Sequence, residues 1–319
     1  MRNLTHQVLM ILVTSWVLFW STPSKALSLQ IFDGVYEPSG VAQLSDGSIL
    51  IVEDEGDEPL HLFSIGSEKS ELILNAKPFK GAKLKVDDLE AVAKGKNGDL
   101  FLITSHSATK DGSRKKKREK LIKTSLVNQQ ISSFGTTDTL ARSIQKHLES
   151  KLSLGEEELN RTNIEGMAFL PTGKELLIGL RSPIHLEKTL ILTLMNPYDL
   201  IERGEQPRFS EEIISLDLEG AGVRAITYYE DQRQYLIAGE TAGKQGKLRS
   251  RIWIWNGQAS HQPVKLKLPK TKGAKNIEGI TIASFEGSTY LLFVCDNGDK
   301  DKAQGANYGF IALKDIHPF

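Results

Sequence analysis

Three glutamates share one local setting. Glu90, Glu165 and Glu278 each precede a small residue and a short apolar stretch, in Asp88-Leu-Glu-Ala-Val92, Asn163-Ile-Glu-Gly-Met167 and Asn276-Ile-Glu-Gly-Ile280. A second polar side chain follows each at a near-constant distance: His106 lies 16 residues after Glu90 and Arg181 lies 16 after Glu165. Arg224 is followed at the same spacing by Glu240, Ser39 by Glu55, and Glu278 by Asp296, 18 residues on and next to Asn297. Carboxylates, an imidazole and guanidinium groups are the side chains that move protons, hold hard cations and bind anions. Glu165, Arg181 and His106 are the candidate catalytic residues, His106 because an imidazole titrates near neutral pH. Glu90, Arg224, Glu240, Glu278, Asp296 and Asn297 are candidate ligand-binding residues. Converging carboxylates repel unless balanced, so Glu90, Glu165, Glu278 and Asp296 would either hold Ca²⁺ or be neutralised by the two arginines. The structural alternative is that the glutamates bond loop backbone and lock neighbouring units together, and that His106 is a hydrogen-bonded strut.

These positions need elements that bring them to one place, and an internal repeat supplies them. Segments beginning at Ser39, Leu89, Ile164, Val223 and Ile277 align, each with a polar residue, a small residue, a short strand, a turn and a second strand with a polar end. The small residues Gly40, Ala91, Gly166, Ala225 and Gly279 are 51, 75, 59 and 54 residues apart, a period that suits four-stranded propeller blades. The expected fold is therefore all-β: a single β-propeller of five blades with four strands each, or six blades if one divergent blade is hidden. The last repeat is one strand short, and Leu27–Phe32 is free to close the ring as its outer strand. The leading loop of the first strand and the trailing loop of the second lie at one end of such a ring, so the polar pairs meet at one mouth. A helical insertion is expected near 138–153, capped by Asp138 and carrying Leu140, Ile144, Leu148 and Leu152. It would act either as a lid or as packing on the outside. Asn196–Glu212 reads as a loop. Cations rim the same mouth: the run Arg114–Lys120, then His185, Lys188, Lys244, Lys247, Arg249, Arg251, Lys300 and Lys302. An acidic centre with a basic rim suits a small anionic ligand or phosphoester bridged by a metal. The Arg114–Lys120 run alone reads as a solvated loop or as a polyanion contact.

Composition narrows the field. Among 319 residues, 40 Lys+Arg balance 40 Asp+Glu, so nothing points to bulk attraction for nucleic acid, and none is expected as a partner. One cysteine rules out an internal disulfide framework, and Cys295 sits in an apolar run as a buried, inert thiol. Arg2, the apolar run Val8–Trp20 and the small residues Ser24 and Ala26 have the order of a secretory signal peptide over 1–26, leaving a propeller domain at 27–319. The expectation is an exported monomer, periplasmic or extracellular, with no membrane span after cleavage. Phosphate-binding glycine loops, the Gly-x-Ser-x-Gly elbow and His-Glu-x-x-His are absent.

The three glutamate motifs, together with Thr104-Ser-His-Ser107 and Gly179-Leu-Arg-Ser-Pro183, resemble the bacterial family called domain of unknown function 3616. The chain is also similar to propellers labelled esterase-like or phytase-like. The resemblance runs over about Ile31 to Phe319. It implies the propeller fold and places Glu90, His106, Glu165, Arg181, Arg224 and Glu278 at motif positions. With the acidic centre and basic rim, the phytase-like label points to a propeller that binds a small anionic ligand with Ca²⁺ and hydrolyses a phosphoester or ester, with a non-catalytic ligand- or protein-binding propeller of the cell envelope as the alternative.

Overall fold

The computed structural model describes residues 29–54, 56, 58–79, 85–109, 111–243, 246–269 and 274–318, the side chains of 132–134 excepted. The expected signal segment, Glu55 and Lys244 lie outside the described residues. Strand β1 (Gln30–Ile31) precedes five antiparallel sheets. Blade 1 is β2 (Pro38–Gln43), β3 (Ile49–Glu53), β4 (Leu60–Glu68) and β5 (Glu71–Ala76). Blade 2 is β6 (Leu89–Lys94), β7 (Asp99–Thr104), β8 (Leu121–Val127) and β9 (Gln130–Thr137). Blade 3 is β10 (Asn163–Phe169), β11 (Leu176–Ser182), β12 (Thr189–Leu194) and β13 (Ile214–Leu216). Blade 4 is β14 (Ala225–Tyr229), β15 (Gln234–Ala242), β16 (Leu248–Trp255) and β17 (Val264–Lys267). Blade 5 is β18 (Ile277–Phe285), β19 (Ser288–Cys295) and β20 (Asn307–Ala312), completed by β1. The fold is a five-bladed β-propeller, with no sixth blade among the described residues. A final strand, β21 (His317–Pro318), pairs with β17 and gives blade 4 a fifth strand that the repeat pattern does not announce.

The core is divided among the gaps between blades. Val41, Ile49 and Ile51 face blade 5, whereas their strand neighbours Ala42, Leu50 and Val52 face blade 2. Both faces of the inner strands are thus covered, which explains why Ile49–Val52 is apolar without alternation. The first strands pack around the axis in the ring β2–β6–β10–β14–β18 and back to β2. Their small residues make that approach possible: a Cβ on Gly40 would lie 3.2 Å from the Ala91 backbone, and one on Gly279 would lie 3.2 Å from that of Gly40.

Backbone bonds then latch blades 2, 3 and 4 to the blade before each. The N–H groups of Leu89, Ile164 and Val223 donate to the carbonyls of Asp54 (3.3 Å), Ser105 (2.8 Å) and Leu180 (3.0 Å). In blade 5 the equivalent Ile277 N–H donates to Ser250 Oγ at 3.0 Å, and blade 1 has Pro38 there, with no N–H to place.

Helix α1 (Leu140–Leu152) follows β9, and a single turn, α2 (Glu156–Asn160), follows it. Thr139, not Asp138, occupies the N-cap, and Asp138 instead faces Lys120 at 3.6 Å. Leu140, Ile144 and Leu148 are buried with Leu121 of blade 2 and Ile164, Leu180 and Leu190 of blade 3, so the helix is a wedge between those blades rather than a lid. The segment expected as a plain loop after β12 contains α3 (Pro197–Glu202), with Pro197 in its first turn. Its Tyr198 ring packs on Phe101 at 5.0 Å, and its hydroxyl accepts the Lys96 N–H at 2.7 Å.

Ring closure depends on Phe32. It is buried between Phe63 of blade 1 and Tyr308 of blade 5, at ring-centroid distances of 5.3 and 4.4 Å, and its N–H donates to Ala306 O at 2.9 Å. Phe32→Ala is expected to destabilise the ring by about 3–5 kcal/mol in urea denaturation. A loss below about 1 kcal/mol would mean that the N-terminal strand does not close the ring.

Candidate functional site at the channel mouth

The polar head of each repeat sits on a local break in strand pairing. The registers of β2, β6, β10 and β18 shift at Ser39, Glu90, Glu165 and Glu278, so each is an extra residue opposite a single partner. A bulge of this kind re-aims a side chain out of the sheet. Here it turns the heads toward the axis while the following small residue lets the strands close in. Arg224 holds the fourth-blade position just before β14, its N–H bonded to Ala238 O at 2.8 Å.

Arg224 is the meeting point. Its Nη1 lies 2.8 Å from Glu165 Oε2 and 2.6 Å from Glu278 Oε1. Nη2 lies 3.1 Å from Glu240 Oε2 and donates to Asn276 Oδ1 at 2.8 Å. Only 7% of Arg224 is exposed, and the surrounding carboxylates raise its affinity for its proton against the opposing effect of burial. Glu165 is shared in turn: Oε1 accepts from Arg181 Nη1 at 2.6 Å and from Asn163 Nδ2 at 3.1 Å. Two of the 16-residue pairs, Glu165–Arg181 and Arg224–Glu240, are therefore direct contacts.

The remaining expected residues are placed differently. Glu90 is buried at its bulge and has no ion pair or hydrogen bond among the described residues, to His106 or to any other group. His106 has no exposed surface; its Nδ1–H donates to Thr104 O at 2.7 Å, which leaves the lone pair on Nε2. Burial lowers its pKa to about 4, so at neutral pH the ring is uncharged and has no extra proton to give as an acid. Asp296 accepts from Asn276 Nδ2 at 2.8 Å, and burial raises its pKa. Asn297 stands apart from the arginine cluster: it accepts the Asn307 N–H at 2.8 Å and donates to Asn307 Oδ1 at 2.9 Å, fastening β20. Ser39 is not a channel acid either, since its hydroxyl donates to Leu89 O. Glu53 accepts the N–H groups of Tyr36 (2.6 Å) and Glu37 (3.1 Å) and pairs with His61.

Two residues that the sequence reading did not single out position the site. Asn276 bonds both Arg224 and Asp296, and Asp88 receives the Ser105 and Ser107 hydroxyls and pairs with Arg118 at 3.1 Å. Both stand two residues before a head and have positive φ, 56° and 66°. Asn and Asp tolerate that conformation because their short side chains bond locally. The Asx-x-Glu spacing in Asp88-Leu-Glu90 and Asn276-Ile-Glu278 was the available signal. The basic run is folded onto the same entrance: Asp87 N–H donates to Lys117 O at 3.1 Å, and Arg114 Nη2 donates to His106 O at 2.9 Å.

Charge balance sets the chemistry of the mouth. Glu90, Glu165, Glu240, Glu278 and Asp296 face two guanidinium groups, so protons must make up part of the difference. Burial, with the like charges of Glu165 and Asp296, pushes Glu278 up to about 9 despite Arg224. Burial and the charges of Glu165, Asp88, Glu278 and Asp54 raise Glu90 well above its ordinary value. Calcium oxygen ligation by Glu90, Glu165, Glu278 and Asp296 does not fit this arrangement, because Arg224 stands between Glu165 and Glu278 and takes an oxygen from each. Among the described residues no three carboxylates or imidazoles converge into a metal cage.

A family model described as "Protein of unknown function (DUF3616)" matches residues 58–311. No curated protein matches the chain. Similar solved structures include a GH43 β-1,3-galactosidase with galactodeoxynojirimycin, at 9% identity over 91% of this chain and 97% of that one, TM-score 0.49. Others are an α-L-arabinofuranosidase from Podospora anserina with cellotriose (12%, 88% and 91%, TM-score 0.44) and a hypothetical protein from Leishmania major (14%, 91% and 90%, TM-score 0.45). Likeness at that level carries no argument about the chemistry of this chain.

The buried charges tie stability to pH. Folded Glu278 keeps a proton that the unfolded chain releases near 4.5, so stability falls as pH rises from there through about 9. His106, lowered from 6.5 to about 4, acts oppositely, and its contribution is lost as pH drops through that lower window. Above pH 6.5 the glutamate acts without the histidine. The melting temperature of the wild type is expected to fall between pH 6.5 and 9, and Glu278→Gln to flatten that fall; a wild-type profile that is level there would contradict the assignment. Arg224→Met strands Glu165 and Glu240 and leaves Glu278 without its guanidinium, and is expected to cost about 3–5 kcal/mol in denaturant unfolding.

Proposed function

Because the chain belongs to the DUF3616 family, whose description assigns no activity, we propose its function from its own site: an exported propeller that binds a small anionic ligand at the channel mouth and hydrolyses an ester or phosphoester by acid–base chemistry. The observation that carries this reading is Arg181. One of its nitrogens is fixed on Glu165, yet 47% of its side chain is exposed, so the rest of its fork of N–H groups faces the solvent at the mouth. Arg224 adds a buried positive charge behind it.

The neighbouring acids supply the proton traffic. Glu278, protonated at neutral pH, gives its proton to the departing alcohol oxygen as the ester bond breaks. Asp296, held through one oxygen by Asn276, takes the proton of the water that adds to the ester centre. His106 has no exposed surface and acts as a strut of the blade 2 loop.

A non-catalytic binding propeller is the second reading, favoured by the double pairing of Glu165, which a lock between blades also needs. The phytase-like reading with Ca²⁺ belongs to the same test. A panel of phosphomonoesters, carboxylic esters and lactones is assayed with Ca²⁺ and with chelator, in wild type, Glu278→Gln and Arg181→Met. Acid–base hydrolysis predicts activity that survives chelation, falls about a hundredfold or more in Glu278→Gln, and has a raised KM in Arg181→Met. Activity lost on chelation would replace this reading by the calcium-dependent one. Anion binding without turnover would leave the binder, and binding unchanged in Arg181→Met would remove the site from the mouth.

A further inference from the structure

The heads of the ring are not electrically equivalent. On blades 3, 4 and 5, Glu165, Arg224 and Glu278 are joined through one guanidinium. On blade 1 the head is a serine that bonds backbone. Glu90 of blade 2 is the exception: it is 7% exposed, and no ion pair or hydrogen bond reaches it among the described residues. It occupies the same bulge as Glu165 and Glu278, whose side chains meet on the axis, so its backbone aims it into the same space.

The charges around it deepen the imbalance. Its strongest electrostatic neighbours are four acidic residues, Glu165, Asp88, Glu278 and Asp54. The cation on its loop side, Arg118, is engaged by Asp87 at 3.3 Å and Asp88 at 3.1 Å. A buried carboxyl in that position is stabilised by whatever positive group enters beside it.

The geometry selects the kind of cation. A bare Ca²⁺ wants six to eight oxygens at short range, and the carboxylates do not gather that way. A primary ammonium group needs one counter-charge and a few acceptors for its three N–H donors, which a single unpaired carboxyl with oxygen-rich neighbours supplies. One blade along the ring, Arg181 presents the exposed fork of donors that suits a phosphate or carboxylate.

We propose that the mouth takes a zwitterion: a small molecule whose primary ammonium group pairs with Glu90 and whose phosphate or carboxylate lies on Arg181. The Arg181 half rests on the anion-binding reading above; the Glu90 half stands on its own observation. Burial and the acidic neighbours favour the protonated form of Glu90, and an ammonium beside it favours the ionised form, so binding of the amine is coupled to loss of a proton from this group.

Isothermal titration of the propeller at neutral pH with ethylammonium, ethyl phosphate, O-phosphoethanolamine and Ca²⁺ separates the possibilities. The expected result is that O-phosphoethanolamine binds about tenfold or more tightly than ethyl phosphate. Its heat should also vary with the ionisation enthalpy of the buffer. In Glu90→Gln, which removes the ionisable group at nearly constant shape, the ratio of the two affinities should fall to near one, and Glu90→Asp should restore part of it. Equal wild-type affinities for the two phosphates would overturn the zwitterion while leaving anion binding intact, and that comparison needs no variant. Failure of both phosphates to bind would overturn the anion-binding reading as well. An unchanged ratio in Glu90→Gln, or Ca²⁺ binding that depends on Glu90 without any preference for the amine, would also overturn the assignment.

Discussion

The structure turns on one buried guanidinium shared by more carboxylates than it can neutralise. Arg224 lies within 3.1 Å of Glu165, Glu240 and Glu278, and Glu90 and Asp296 share the same mouth. Removing charges from water is expensive, and one cation cannot compensate a cluster of anions. Part of the balance falls to Arg181 on Glu165 and part to a proton held on Glu278, and Glu90 is shifted in the same direction. A charge lock and a proton reservoir are thus the same object, which is why a structural and a chemical role converge on the same side chains.

Such a cluster survives only where backbone geometry prevents the carboxylates from swinging away. The bulges at Glu90, Glu165 and Glu278 aim them, and the small residues behind them let adjacent first strands approach to van der Waals contact. At blades 2, 3 and 4, carbonyls at the ends of second strands accept N–H groups from the next blade, so main chain positions those heads, and at blade 5 the Ser250 hydroxyl takes the same place. Asn276 then fixes the guanidinium and Asp296 together. The site is rigid at its base, while Arg181 keeps an open side to solvent.

Much of this was readable in the residues because repetition exposed it. The period of small residues marked the five blades, and the missing strand of the last repeat found its partner in Gln30–Ile31. The 16-residue spacing located the contacts Glu165–Arg181 and Arg224–Glu240. The same spacing failed at Glu90 and His106, because position places two residues near one end of a blade but does not set rotamers: His106 turns its Nδ1 to the Thr104 carbonyl at the end of β7. Asn297 was drawn into the site by its neighbour Asp296, although it faces the opposite way, to Asn307. The extra strand at His317–Pro318 and the helix Pro197–Glu202 lie outside the repeat, so periodicity had no purchase on them. The left-handed Asp88 and Asn276 were hidden because a positive φ leaves only a weak compositional trace in Asx residues.

Glu278 is a buried carboxylic acid that stays protonated at neutral pH. Infrared difference spectroscopy of the folded protein, titrated from neutral pH to above 9, reads that state directly through the carbonyl stretch of a protonated, weakly hydrated carboxyl group. Such a band is expected in the wild type at neutral pH, lost as pH passes about 9 and diminished in Glu278→Gln. Its absence at neutral pH would mean that every carboxylate of the cluster is ionised and that the mouth stores no proton.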